Sequence, residues 1–327
     1  MLPNFSYIRP RSLDEAIRYY SQDGARVCAG GTDLLGCLRD GVFKPETLVS
    51  LNRLGELLGI SETPKGELRI GALVTIADIA RNPLIKAKYR ALSMAASEVA
   101  SPQLRNQGTI GGNLCQKPRC WYYRGDFNCL RKGGPTCYAA EGENQFHCIF
   151  GSDDQCFIVH PSDAAPALAA LSARVHIAGP EGERYVPVDS FHVLPAEDVQ
   201  LETILEPGEI VTDVLLPAPP AGLRSTYRKV RARRSWDFAL AGLALALQFD
   251  GRRVVSGRVV ASGAAPIPWR SRAVEDVIRG RIIDDGLIAA ASDALVEGAE
   301  PLLKNQYKVP LFRGVIEEEL SAMAALA

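Results

Sequence analysis

The sequence has no surplus of charge of either sign. Its 37 Lys and Arg stand against 38 Asp and Glu, a net charge of −1. That balance argues against nucleic acid or an anionic membrane surface as the main partner. No apolar run approaches the roughly 18–20 residues that a membrane span needs. The opening residues, Met1 to Phe5, lack a basic stretch followed by an apolar core. The expectation is therefore a cytoplasmic chain without an export signal, reaching the periplasm only if a partner carries it there. Repeats and low-complexity tracts are also missing. With 47 % hydrophobic and 23 % charged residues the chain has globular composition, which excludes disorder, and 327 residues leave room for two domains.

Cysteine is scarce over most of the chain and dense in one place. Six of the eight, Cys115, Cys120, Cys129, Cys137, Cys148 and Cys156, fall within 42 residues, and only Cys28 and Cys37 lie elsewhere. A disulfide scaffold suits small secreted domains with cysteines throughout, and this chain is neither. Clustering of this kind points instead to a metal or iron–sulfur site. The segment 101–156 is rich in Gly, Pro and Asn and has little periodicity, and loops of that length inside a compact unit are usually functional.

Around that segment the pattern alternates between helix and strand. Ser12 and Glu15 form a capping box for a helix through Tyr20. A strand at 26–29 runs into Gly30-Gly31-Thr32-Asp33 and a helix at 34–39. Strands are expected at 48–51 and 68–73, and helices at 75–81 and 84–100. Order resumes with a strand at 157–160, a helix at 163–173 capped by Ser162, and strands at 174–178 and 210–216. The Pro/Gly-rich stretch 217–222 marks a domain boundary. Beyond it three antiparallel strands, 225–233, 239–249 and 254–262, precede helices at 271–279 and 286–298, with Asp250-Gly251 as a hairpin turn. The fold class is α+β, divided into residues 1–217 and 223–327, with the cysteine-rich insertion at about 115–156 in the first part.

Two glycine turns stand out. The first, Val27-Cys28-Ala29-Gly30-Gly31-Thr32-Asp33-Leu34, joins a strand to a helix. The second is Thr109-Ile110-Gly111-Gly112-Asn113-Leu114. Paired glycines let backbone amides approach a phosphate. Neither turn has the GxGxxG or GxxxxGK[ST] spacing, so an ordinary nicotinamide or nucleoside-triphosphate loop is not indicated. Two such turns in one domain suit a cofactor with two phosphates.

These motifs, together with Ser162-Asp163-Ala164-Ala165-Pro166 and Tyr227-Arg228-Lys229-Val230, resemble the FAD-binding subunit of the xanthine dehydrogenase family of molybdenum hydroxylases in order and spacing over essentially the whole chain. The resemblance implies a two-subdomain FAD-binding domain of the vanillyl-alcohol-oxidase (PCMH) kind, followed by a small C-terminal flavoprotein domain with a three-stranded antiparallel sheet and helices. It places Val27, Cys28, Ala29, Gly30, Gly31, Thr32, Asp33 and Leu34 around the pyrophosphate. Thr109, Gly112 and Asn113 would also touch the cofactor, Asp163 would accept from its nucleotide half, and Lys229 would lie near its flavin end. It further implies two partners, a large molybdopterin-bearing subunit and a small subunit with two [2Fe–2S] clusters, as a heterotrimer or a pair of heterotrimers.

The insertion departs from most of the family and resembles its [4Fe–4S]-carrying versions, the 4-hydroxybenzoyl-CoA reductase β subunit and, more closely, the bacterial three-subunit aldehyde oxidoreductases. By that resemblance the ligands are Cys120, Cys129, Cys137 and Cys156, at separations of 9, 8 and 19 residues, with Cys115 and Cys148 spare. Zinc on four thiolates, in a docking rather than a redox role, is the main alternative, although it usually shows CxxC pairs and none occurs here. The implied function is electron transfer through FAD and the extra cluster to NAD, oxygen, a ferredoxin or a quinone, with an aldehyde or an aromatic N-heterocycle oxidised in the large subunit. A reductase of the 4-hydroxybenzoyl-CoA type would run in reverse, and a stand-alone FAD oxidase of the wider superfamily would need a larger substrate domain. No residue of this chain is expected to act as an acid–base catalyst.

Overall fold

The structure is a computed structural model and describes residues 2–325. Three sheets carry the chain. The first is small and parallel, with Thr47–Ser50 between Ser6–Ile8 and Ala25–Cys28. Its buried face, Ala25 and Val49, packs on the amphipathic helix Leu13–Tyr20. Ser12 caps that helix as the sequence pattern requires, its Oγ accepting from the Glu15 N–H at 3.2 Å.

The second sheet has five antiparallel strands in the order Ile60–Glu62, Leu68–Gly71, Ile210–Leu216, Arg174–Gly179 and Gly182–Pro187. Its central strand, Ile210–Leu216, is buried at every residue. The helices Ile76–Arg81, Arg90–Glu98 and Ala164–Ala170 share a core with it. The third sheet lies beyond the Pro/Gly-rich stretch. Leu223–Val230, Ala241–Asp250 and Arg253–Ser262 are antiparallel as expected, and a two-residue strand, Trp269–Arg270, adds a fourth. Helices Arg272–Ile278, Asp285–Leu295 and Lys308–Ala325 cover one face. The other face joins the core of the second sheet through Tyr227, Ala244, Ala246 and Val260. The two parts of the chain thus share one apolar interior. Among the described residues no helix is long and apolar enough to cross a membrane.

Three expectations need correction. The helix expected at 84–100 is two helices, Pro83–Lys88 and Arg90–Glu98, broken at Tyr89 with φ −135° and ψ 53°. Tyr89 is fully buried and its hydroxyl donates to the Pro217 carbonyl at 2.9 Å, a tertiary demand that outweighs local helix propensity. Residues 157–160 form no strand. Their backbone instead bonds singly to other segments, with Cys148 N–H donating to Phe157 and His160 N–H donating to Ala265. The helix expected at 163–173 covers only Ala164–Ala170.

The cysteine-rich segment is wedged between the two parts. Asn305 Nδ2 donates to the carbonyls of His147 and Cys148 at 3.0 and 2.9 Å. Lys304 N–H donates to Asn144 Oδ1 at 3.0 Å. Lys308 is completely buried, with Nζ donating to the Gly263 carbonyl at 2.7 Å and facing Cys148 and His147. Burial pushes its ammonium down to about 8. A lysine with a folded value below its unfolded one is destabilising while charged, so that cost is complete below pH 8 and fades as pH rises toward 10.5. Wild-type stability is therefore expected to rise relative to a Lys308→Met variant between pH 7 and pH 10, by about 3 kcal/mol at most. Urea midpoints of the two proteins over that range would show it, and parallel curves would refute it.

Candidate flavin cleft and cysteine cavity

The two glycine turns meet. A Cβ on Gly30 would lie 1.8 Å from the Gln107 carbonyl oxygen, so the first turn touches the backbone just before the second. At the second turn a Cβ on Gly111 would lie 2.9 Å from Ala72 Cβ, while Ile110 N–H and Gly111 N–H donate to Val74 and Ala72 carbonyls. Side chains larger than hydrogen would push these segments apart.

Between them opens a cleft of about 860 Å³. Val27, Ala29, Gly30, Gly31, Thr32, Asp33 and Leu34 line it, as do Thr109, Gly112, Asn113 and Asp163. Cys28 does not, and its Sγ lies 3.7 Å from the Ala29 carbonyl instead. Thr109 Oγ1 accepts from Gly112 N–H at 3.3 Å and caps the short helix Ile110–Leu114. Ser162 Oγ accepts from Ala165 N–H and donates to Asn113 Oδ1 at 2.5 Å, which orients the Asn113 amide. The helix Leu34–Arg39 starts after Asp33 without a side-chain cap. Asp33 is turned away to the insertion, accepting from Lys117 N–H at 2.8 Å, Arg124 at 2.7 Å and Arg119 at 3.0 Å.

Lys229 does not line the cleft. Its ammonium is buried against Asp163 Oδ2 at 2.7 Å, and Tyr227 donates to Asp163 Oδ1 at 2.7 Å. Residues that the resemblance assigns to opposite ends of the cofactor are thus direct neighbours. Burial raises the Asp163 carboxyl, and the Lys229 charge opposes that shift. An Asp163→Asn variant strands the Lys229 charge, with an expected loss of about 3–5 kcal/mol in urea unfolding. Asp163→Asn with Lys229→Met should recover most of it, and an unchanged single variant would refute the pairing.

Several cleft residues gave no sequence signal. Arg119 is 5.1 Å from the Phe238 ring centroid, and its buried Nε has no partner. Arg233, Trp236 and Phe238 come from the loop after the strand Leu223–Val230, in an arginine-rich run that reads as strand-face charge. Trp236 N–H donates to Ala100 O at 2.9 Å, and both residues have positive φ, +55° and +43°, uncommon for side chains of their kind.

The cysteine pattern maps onto a second, smaller cavity. Cys120, Cys129, Cys137 and Cys156 line it together with Tyr122, Tyr123, Arg131 and His147, among others. Cys115 lines the large cleft, and Cys148 packs with Ala139 and Phe157. A hydrogen bond from Cys156 pulls the Cys137 thiol down to about 6, and burial pushes Cys120 up to about 11. His147 Nε2 is 3.3 Å from Cys120 Sγ. Among the described residues no three His, Cys, Asp or Glu side chains are gathered closely enough to hold a single metal ion. A mononuclear zinc site would require that gathering, with each sulfur about 2.3 Å from one point. A cubane takes one thiolate on each of four irons, and four cysteines line this small cavity.

Comparison with known proteins gives the lineage. Residues 3–219 match the family described as FAD binding domain in molybdopterin dehydrogenase, and residues 225–319 match the CO dehydrogenase flavoprotein C-terminal domain. The chain is 37% identical over 327 residues to the aldehyde oxidoreductase FAD-binding subunit PaoB of Escherichia coli, covering 99% of each chain. It is 30% identical to the carbon monoxide dehydrogenase medium chain of Hydrogenophaga pseudoflava, over 91% of this chain and 88% of that one. The carbon monoxide dehydrogenase structure from the same organism superposes with a TM-score of 0.79 at 27% identity, over 99% of each chain. With its glycine-walled cleft, α+β fold and both domain matches, the chain belongs to the FAD-binding medium subunits of the molybdenum hydroxylases, and is thereby an oxidoreductase subunit.

Proposed function

We propose that this chain is the electron-transfer subunit of a three-chain aldehyde-oxidising molybdenum hydroxylase, with a [4Fe–4S] cluster on Cys120, Cys129, Cys137 and Cys156. The single observation that carries the cluster is that these four thiols, and neither Cys115 nor Cys148, share one cavity. The match to the aldehyde oxidoreductase subunit adds support, because an alignment of 327 residues over 99% of each chain leaves no room for a gap the size of the insertion. Its partners on this reading are a large molybdopterin-bearing subunit and a small [2Fe–2S] subunit.

FAD, when bound, supplies a carrier that takes up two electrons and can exchange them singly. The residues of the cleft hold and orient it. Val27 and Ala29 through Leu34 form one wall, with Gly30 and Gly31 admitting the pyrophosphate to the backbone. Thr109, Gly112 and Asn113 form the facing turn, and Ser162 fixes the Asn113 amide. Asp163 is an acceptor at the cleft wall, held in place by Lys229 and Tyr227, so Lys229 acts as a positioning residue. A [4Fe–4S] cluster supplies a one-electron station, and Arg131 would set its positive charge beside Cys156.

The test is composition. Protein purified anaerobically from its native source should hold roughly four irons, four sulfides and one FAD per chain, and bring two further chains with it. One FAD without iron would remove the cluster and keep the flavin role, and no FAD would remove both.

A further inference from the structure

The flavin cleft and the cysteine cavity share no lining residue, yet they are joined by partly buried ion pairs. On one side Asp33, in the cleft wall, accepts from Arg124 at 2.7 Å and Arg119 at 3.0 Å. Arg124 closes the short helix Trp121–Arg124, which begins right after Cys120 and supplies Tyr122 and Tyr123 to the cavity. Its guanidinium also donates to the Pro118 and Lys117 carbonyls, so it holds the chain entering Cys120 at two points.

On the other side Glu202, also in the cleft wall, pairs with Lys117 and Arg131. Arg131 lines the cysteine cavity two residues after Cys129, and its side chain is 2% exposed. It donates to Glu202 Oε1 at 2.7 Å and to the carbonyls of Val199 and Leu201 at 2.6 and 2.7 Å. The loop 199–202 therefore keeps its place against the cleft through a residue whose own position depends on the cysteine segment.

We propose that these two ion-pair bridges link filling of the cysteine cavity to the affinity of the cleft for FAD, with Arg124 and Arg131 as the positioning residues. This inference rests on the reading of the four cysteines as a cluster site. An empty cavity leaves the loop from Cys120 to Cys137 without the cross-link that sets its shape, and the loosened loop carries Arg124 and Arg131 with it. Asp33 and Glu202 then lose fixed partners while partly buried, which costs more than loss of a fully exposed pair would. The cleft walls give way at the two places where the pairs held them. Linkage is reciprocal, so bound FAD strengthens iron retention by the same factor.

The experiment measures the rate of FAD release from the full chain by recovery of free-flavin fluorescence, with the cluster intact and after its removal by oxidation and chelation. Removal should accelerate release roughly tenfold in the wild type. Arg124→Gln should release FAD at the fast rate whether or not iron is present, and Arg124→Lys should restore part of the difference. If Arg124→Gln does not fold, Arg131→Lys, which keeps the charge and loses the fork to Glu202 in the other bridge, carries the same expectation. Equal release rates with and without iron in the wild type overturn the proposal, as does an undiminished difference in Arg124→Gln. A chain that carries no iron when purified anaerobically overturns the cluster reading and this coupling together.

Discussion

Gly30→Ala is expected to yield a chain that has lost most of its flavin. The added methyl would sit 1.8 Å from the Gln107 carbonyl oxygen, inside any contact distance, and the obstacle is backbone that cannot rotate away. Turn and turn must part, which widens the cleft where a phosphate needs amides close by. Overpacking of this sort costs about 1–3 kcal/mol, and each 1.4 kcal/mol charged to the cleft weakens binding tenfold. The expected loss in FAD affinity is therefore about 10- to 100-fold. Gly314→Ala is the control, because it lies in the last helix and its Cβ would meet nothing within 4 Å. Flavin absorbance per chain and titration of the stripped protein with FAD give the answer. Normal flavin content in Gly30→Ala would show that the turns do not form the cradle.

The second large effect concerns iron. Serine at Cys120, Cys129, Cys137 or Cys156 should each take iron from roughly four atoms per chain to background, since a cubane held by four thiolates seldom survives the loss of one. Serine at Cys115 or Cys148 should leave iron unchanged. Cys148 is the sharper control, being close to Cys137 and in the same small apolar cluster but off the cavity wall. Its thiol is buried and pushed up to about 12, so it is an inert packing group, and serine there costs stability alone. Iron loss in Cys148→Ser at normal thermal stability would mean that the ligand set is drawn wrongly. Retention of iron in all four cavity variants would remove the cluster.

Much of the fold was legible because its signals are local. The Ser12 cap, the helix 34–39, the Asp250-Gly251 turn and the strands on either side of it need only neighbours in sequence. The break at Tyr89 was not legible, since Lys86, Ala87, Lys88 and Arg90 are all good helix formers and the cause lies 128 residues away at Pro217. The last helix, Lys308–Ala325, is missing from the sequence reading, although Phe312, Val315, Ile316, Leu320 and Met323 supply a helical pattern. The Pro310 that argues against a helix falls in its first turn, where no intrahelical N–H is required. At the site, the motifs lead to the glycine turns and to the four cysteines of one cavity. They do not show that Lys229 touches Asp163 or that Asp33 faces the insertion, because pairings between distant segments leave no trace in local spacing. Asp33 is the instructive case. Its carboxylate lies in the cleft wall, and three donors from the insertion, two of them arginines, hold it.

The Asn305 clamp has a consequence for biosynthesis. A ribosome makes the cysteine segment early and Asn305 late, and the carbonyls of His147 and Cys148 wait for a donor 158 and 157 residues downstream. Residues 149 and 150 are covered first, by Ala264 and Trp269, and residues 143–148 only once Lys304 and Asn305 have emerged. Long-range contacts of this kind form late. Chain connectivity thus sets the order of events: the cysteine segment is synthesised first, and the residues that close over its far end, 264 to 305, follow it out of the ribosome.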